Sequence, residues 1–135
     1  FLLERMKELK GKIKPLNIAV AYQRPCSNRL IPEKLPLVKK ILDLIGVKMP
    51  KRAYQNENCL CCGEVIRSVS GYKLADDVQK RNIDDMLQTG AEYCMFNCPA
   101  CQMALSEKVS KKGLKPIHII DLCKMAIGEK ERQVA

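Results

Sequence analysis

"LNIAVAYQRPCSNRL", residues 16–30, decides the fold. Its first half follows Pro15 as a short apolar run with β-branched members, the pattern of a strand buried on both faces in a parallel sheet. The second half is polar and carries Cys26, so this cysteine falls in the loop that leaves the strand. "EKLPLVKKILDLIGV" (33–47) then repeats apolar residues at Leu37, Val38, Ile41, Leu42 and Ile45 before Gly46, which predicts a helix with a glycine stop. Strand, cysteine loop and helix form one unit of a βαβ pattern.

The unit recurs along the chain. "KRAYQ" (51–55) reads as a short second strand leading into "NENCLCCGEV" (56–65), where Cys59, Cys61, Cys62 and Gly63 lie close together. "YKLADDVQKRNIDDMLQTGA" (72–91) predicts a helix with Leu74, Val78, Ile83, Met86 and Leu87 inward, ended by Gly90. "EYCMFN" (92–97) follows as a strand and opens onto Cys98-x-x-Cys101. Pro99 suits the first position of the next helix, where its missing N–H has no partner to lose. "KPIHIID" (115–121) is a fourth strand, and "LCKMAIG" (122–128) a closing helix. Strands alternating with helices imply an α/β domain of Rossmann-like type, with about four mostly parallel strands and flanking helices. In such sheets ligands collect at the carboxyl ends of the strands. Cys26, the Cys61–Cys62 pair and the Cys98/Cys101 pair all fall in loops on that edge.

The remainder divides simply. Residues 1–14, "FLLERMKELKGKIK", form an amphipathic basic helix that covers its own domain or a partner. Residues 15–128 form the cysteine-bearing domain, and 129–135 a charged tail. At 135 residues the chain supports one domain with a real core. No apolar run approaches the ~18 residues of a membrane span. Eight cysteines, with no Asn-x-Ser/Thr acceptor, read better as metal-binding or redox thiols of the reducing cytoplasm than as a secreted disulfide framework. The formal charge of +9 would fall to +4 if five cysteines were thiolates. Nucleic-acid binding is not expected, because the four tyrosines and two phenylalanines are not interleaved with the basic residues as stacking platforms.

Cys98-x-x-Cys101 at a helix start puts two sulfurs on one face beside unpaired N–H groups, which stabilises thiolates. Alone it suits zinc or a dithiol–disulfide exchanger equally. Five converging cysteines are one too many for a closed tetrahedral zinc site, and neighbouring residues rarely aim at one small ion. A cluster of several irons relieves this crowding, with Gly63 letting the backbone turn through positive φ and approach closely. Cys94 and Cys123 read as core residues, Cys59 as a loop residue or an additional ligand, and His118 as a satisfied strand histidine. Arg24 and Arg29 flank Cys26; they read as solvated side chains or as counter-charges to a bound anionic group.

The spacing carries a resemblance. Between Cys26 and Cys61 lie 34 residues, and between Cys62 and Cys98 lie 35. Together with "RPCSNRL", "NCLCCG" and "GAEYCMFNCPACQMAL", this pattern resembles the CCG, or cysteine-rich, domain of heterodisulfide reductase over about residues 17–127. The same domain type occurs in iron–sulfur subunits of glycolate and lactate oxidation, in thiol-linked fumarate reductases and in sulfite-reduction complexes. The resemblance implies an iron–sulfur oxidoreductase subunit in which Cys26, Cys61, Cys62, Cys98 and Cys101 hold a non-cubane [4Fe–4S] cluster. It further implies electron transfer to, or reductive cleavage of, a disulfide substrate. Implied partners are other subunits of an electron-transfer complex or a second CCG domain. Some family members hold Zn2+ instead, so the rival expectation is a structural zinc module that docks partner subunits.

Overall fold

A computed structural model describes residues 1–132; residues 133–135 of the charged tail lie outside the described residues. Four strands, β1 (Ile18–Gln23), β2 (Val47–Lys48), β3 (Tyr93–Phe96) and β4 (Lys115–His118), form one sheet in the order β2-β1-β3-β4. All three pairings are parallel, with Val20 opposite Tyr93 and Tyr93 opposite Lys115. The expected α/β architecture is present. Six α-helices accompany the sheet: α1 (Leu2–Glu8), α2 (Lys34–Leu44), α3 (Glu64–Ser70), α4 (Tyr72–Leu87), α5 (Pro99–Lys111) and α6 (Ile119–Ala126).

Alternation along the central strands sends side chains to two separate cores. Val20, Tyr22, Tyr93 and Met95 join Met6 of α1, Val38, Ile41 and Leu42 of α2, and Leu122 of α6 on one face. Ala21, Cys94 and Phe96 join Ile83 and Met86 of α4 and Leu105 of α5 on the other, and Cys62 and Cys101 belong to this second group. The inner strands are buried on both faces, which explains why "IAVAY" and "YCMF" read as continuous apolar runs. Helix α1 buries Met6 and rests Leu2 and Leu3 on the core, so it covers its own domain.

Several local expectations need correction. The second strand is Val47–Lys48, directly after Gly46, and not Lys51–Gln55. Ala53 and Tyr54 instead donate their backbone N–H groups to the Asp85 carboxylate at 3.0 and 2.9 Å, which removes them from any ladder. Helix α3 has no counterpart in the sequence pattern; it exposes Val65 and Val69 and buries no residue fully, so it carries no apolar stripe to read. Leu37, Leu74 and Leu87 face solvent, while Leu35, Ala75, Gln79 and Asn82 take inward positions. The closing helix starts at Ile119, three residues early, with the His118 side chain accepting from Ile120 N–H at 3.3 Å as its cap. Cys94 and Cys123 lie in the core, where burial pushes their thiols up to about 12 and about 11.

Candidate metal centre

Parallel strands that exit on one edge bring three loops together, and each loop carries cysteine. Cys26 opens a single 3-10 turn, Cys26–Arg29, immediately beyond β1 and is exposed. Cys61 and Cys62 end the segment that runs into α3; Cys61 is half-buried and Cys62 buried. Cys98 caps α5 with extended backbone, Pro99 takes the first helical position as expected, and Cys101 is buried one turn on. The five sulfurs form a connected series. Cys61 lies within electrostatic reach of both Cys62 and Cys26. Cys62 and Cys101 lie close enough to perturb one another directly, and so do Cys101 and Cys98. Cys59, two residues before Cys61, is 1% exposed.

The thiols are not equivalent. The neighbouring Cys101 thiol and, less strongly, the backbone at Glu64 favour the Cys62 thiolate, so the Cys62 pKa drops to about 6, while Cys101 is pushed up by the same interaction. Cys61 is raised, first by burial and then by its sulfur neighbours. A depressed folded-state pKa contributes stability above the unfolded value that is lost as pH falls through the folded one. In metal-free protein the Cys62 thiolate should therefore persist down to about pH 6. Alkylation with iodoacetamide, followed peptide by peptide with mass spectrometry, should show Cys62 labelling with a midpoint near 6. A midpoint at an ordinary thiol value would contradict this geometry.

What holds the paired-cysteine loop is a set of polar side chains that no apolar pattern reveals. Gln23, at the end of β1, donates to the Leu60 carbonyl at 3.0 Å, and its own oxygen accepts from Asn82 at 2.6 Å. Arg24 is 1% exposed and donates to the Asn56 carbonyl at 2.7 Å, the Glu57 carboxylate at 2.9 Å and the Asn28 carbonyl at 2.9 Å. Arg29 donates to the Cys59 carbonyl at 2.6 Å. Gln79 donates to the Cys62 carbonyl at 2.8 Å, while Lys108 donates to the Gln79 oxygen and so orients the amide. Arg24 is thus a buried strut, not a solvated charge. The available signal is small: Gln79 and Asn82 share the helical spacing of Ala75, Ile83 and Met86, so polar residues occupy core positions of α4.

Gly63 shows why the motif needs glycine. Its φ is +93°, and a Cβ there would lie 2.6 Å from the Gln79 Nε2 that holds Cys62. The close approach is therefore to Gln79. Gly63→Ala should cost about 1–3 kcal/mol through strain and displacement of that amide, measured as a lower urea midpoint.

Does this donor set fit a metal group? Five sulfurs on three loops are soft ligands suited to a thiophilic centre. Among the described residues, no three His, Cys, Asp or Glu side chains form a group that would hold one ion. The sulfurs run as a series and do not close around one point. Arg24 Nε is buried without a hydrogen-bond partner among the described residues, and the Tyr22 hydroxyl and the Asn28 and Asn97 side chains, which interact with one another, cluster at the same ends of β1 and β3. Polar side chains are thus concentrated in the interior at this edge. A sulfur-ligated centre fits. A groove of about 320 Å3 between α3 and α5 is lined in part by Glu64, Arg67, Ala100 and Met103.

A parallel α/β domain that gathers cysteines from three strand-exit loops belongs to the class of thiol-site domains built on a Rossmann-like sheet. Within that class the chain belongs to the cysteine-rich domain family, CCG, whose profile matches residues 20–106. The chain is also 28% identical over 139 aligned residues to the B subunit of fumarate reductase (CoM/CoB) from Methanothermobacter marburgensis. That alignment covers 96% of this chain and 26% of the relative, so the chain spans about a quarter of that protein's length. Fumarate reductases are among the proteins to which the cysteine pattern points. No helix among the described residues is long and apolar enough to cross a membrane.

Proposed function

We propose that this domain is the iron–sulfur part of a heterodisulfide-reductase-like oxidoreductase, with Cys26, Cys61, Cys62, Cys98 and Cys101 as ligands of a non-cubane [4Fe–4S] cluster. The observation that carries the reading is the connected series of five sulfurs at one sheet edge, three of them linked through Cys62, Cys101 and Cys98. The likeness to a fumarate reductase (CoM/CoB) supports the same chemistry. When bound, such a cluster supplies single electrons for reduction of a disulfide.

The chain's own residues prepare the site. Cys62 enters ligation already close to its thiolate form, which lowers the proton release that metal binding requires at neutral pH. Gln23, Arg29 and Gln79 hold the carbonyls of Leu60, Cys59 and Cys62, so neighbouring sulfurs keep fixed and different directions. Adjacent thiolates fixed in this way suit separate metal atoms better than one. All eight cysteines are free thiols, which suits a reducing, cytoplasmic setting. Other subunits, or a second domain of this kind, would complete the disulfide site.

Anaerobic reconstitution with iron and sulfide tests the reading. About four irons and four acid-labile sulfides per chain, with a paramagnetic signal on oxidation or reduction, are expected. Zinc at one per chain with no sulfide would establish the scaffolding module instead.

A further inference from the structure

Charge is distributed unevenly along this chain. Residues 1–51 contain twelve Lys and Arg against four Asp and Glu, so they carry +8 of the formal +9. The fold gathers six of these lysines at one end of the sheet. Lys14 donates its backbone N–H to the Ala126 carbonyl at 2.8 Å, where α6 has run back to the amino edge of the sheet. Lys48 lies opposite Ala19 near the start of β1, on the same edge. Lys10 and Lys12 lie in the turn that leads to Lys14, and Lys7 and Lys40 lie on α1 and α2, which pack together. All six are exposed, and none has a side-chain partner among the described residues. The nearby acids only partly offset them: Glu8 is paired with Arg5 and Glu4 with the chain's first amino group, leaving Asp43 near the end of α2 and Glu129 just beyond α6.

We propose that this pole is a docking surface for an acidic protein. Lysines present compact, hydrated charges on flexible stems, which suits fast, salt-sensitive association with an acidic protein surface; arginine would be expected for bidentate phosphate recognition. A nucleic acid is disfavoured because Phe1, which precedes α1, is the only exposed aromatic among residues 1–51, and it is engaged by Arg5 at 5.5 Å. An anionic membrane is disfavoured because α1 turns Leu2, Leu3 and Met6 inward, and α2 exposes only Leu37. β1 has six residues, so at ~3.3 Å per residue the pole lies roughly 20 Å from the cysteine edge. The partner bound there leaves the cysteines open to a different one.

The test uses poly-L-glutamate as probe, with oligothymidylate and phosphatidylglycerol vesicles for comparison, at low and physiological salt. Two variants change net charge equally: Lys12→Glu/Lys14→Glu at the pole, and Lys73→Glu/Arg81→Glu on the exposed side of α4. The first should weaken polyglutamate binding about tenfold at low salt, and the second less than about twofold. Unaltered thermal unfolding of both variants would confirm that the fold is kept. The proposal is overturned if the two weaken binding equally, or if wild-type protein binds the oligonucleotide or the vesicles more tightly than polyglutamate.

Discussion

Arg52→Ala should destabilise the fold by about 3–5 kcal/mol, the usual cost of stranding one partner of a buried ion pair. The Arg52 side chain is 3% exposed and the Asp85 side chain 9%. Arg52 donates to Asp85 at 3.2 Å, to the Asn82 side-chain oxygen at 3.1 Å and to the Tyr22 carbonyl at 3.1 Å. It therefore ties α4 to β1 beside the segment that enters the paired-cysteine loop. Its loss leaves the Asp85 carboxylate with the N–H groups of Ala53 and Tyr54 alone. Urea unfolding measures the effect as a lower midpoint at unchanged slope. Arg52→Ala/Asp85→Ala should lose less than the sum of the two single changes, since neither charge is then left unpaired. Arg67→Ala is the contrast. Its pair with Glu64 is exposed, and no measurable change in midpoint is expected.

The second large effect concerns the sulfurs. Single Cys62→Ser and Cys101→Ser changes should each cut bound iron and sulfide to less than about half, because both lie inside the connected series. Cys61→Ser should do the same, since Cys61 lies within electrostatic reach of both Cys62 and Cys26. Cys59→Ser decides the role of the remaining loop cysteine: unchanged iron and sulfide make it a buried loop thiol, and a loss adds a sixth ligand. Cys94→Ser and Cys123→Ser should lower stability without changing metal content, as buried core thiols. Iron, sulfide and zinc measured on each anaerobically prepared variant decide between readings. If either Cys61→Ser or Cys62→Ser keeps full metal with one zinc per chain, four-coordinate zinc replaces the cluster.

The supporting polar residues explain why the site resists reading from local patterns. Gln23, Arg24, Gln79 and Asn82 are polar groups in core positions, and their cost is met only by partners far along the chain: 37 residues separate Gln23 from Leu60, and 59 separate it from Asn82. Periodicity counts them against a helix or strand face, and so it orients α4 around Leu74 and Leu87, which are exposed. The displacement of β2 has a similar origin. "KRAYQ" has strand composition, but Asp85 takes the N–H groups that a ladder would use. Two strand residues after Gly46 offer too short a pattern to recognise.

By itself the sequence determined the parallel α/β class, because strands buried on both faces must be apolar throughout and helices between them must keep one apolar side. It also determined that cysteine-bearing loops leave at the carboxyl edge, since every parallel strand runs the same way. Only the tertiary structure decided which sulfurs touch, which of them holds the low pKa, and which distant side chains clamp the loop. Those outcomes depend on contacts between residues tens of positions apart, where burial, charge and hydrogen bonding act through space and leave no spacing to read.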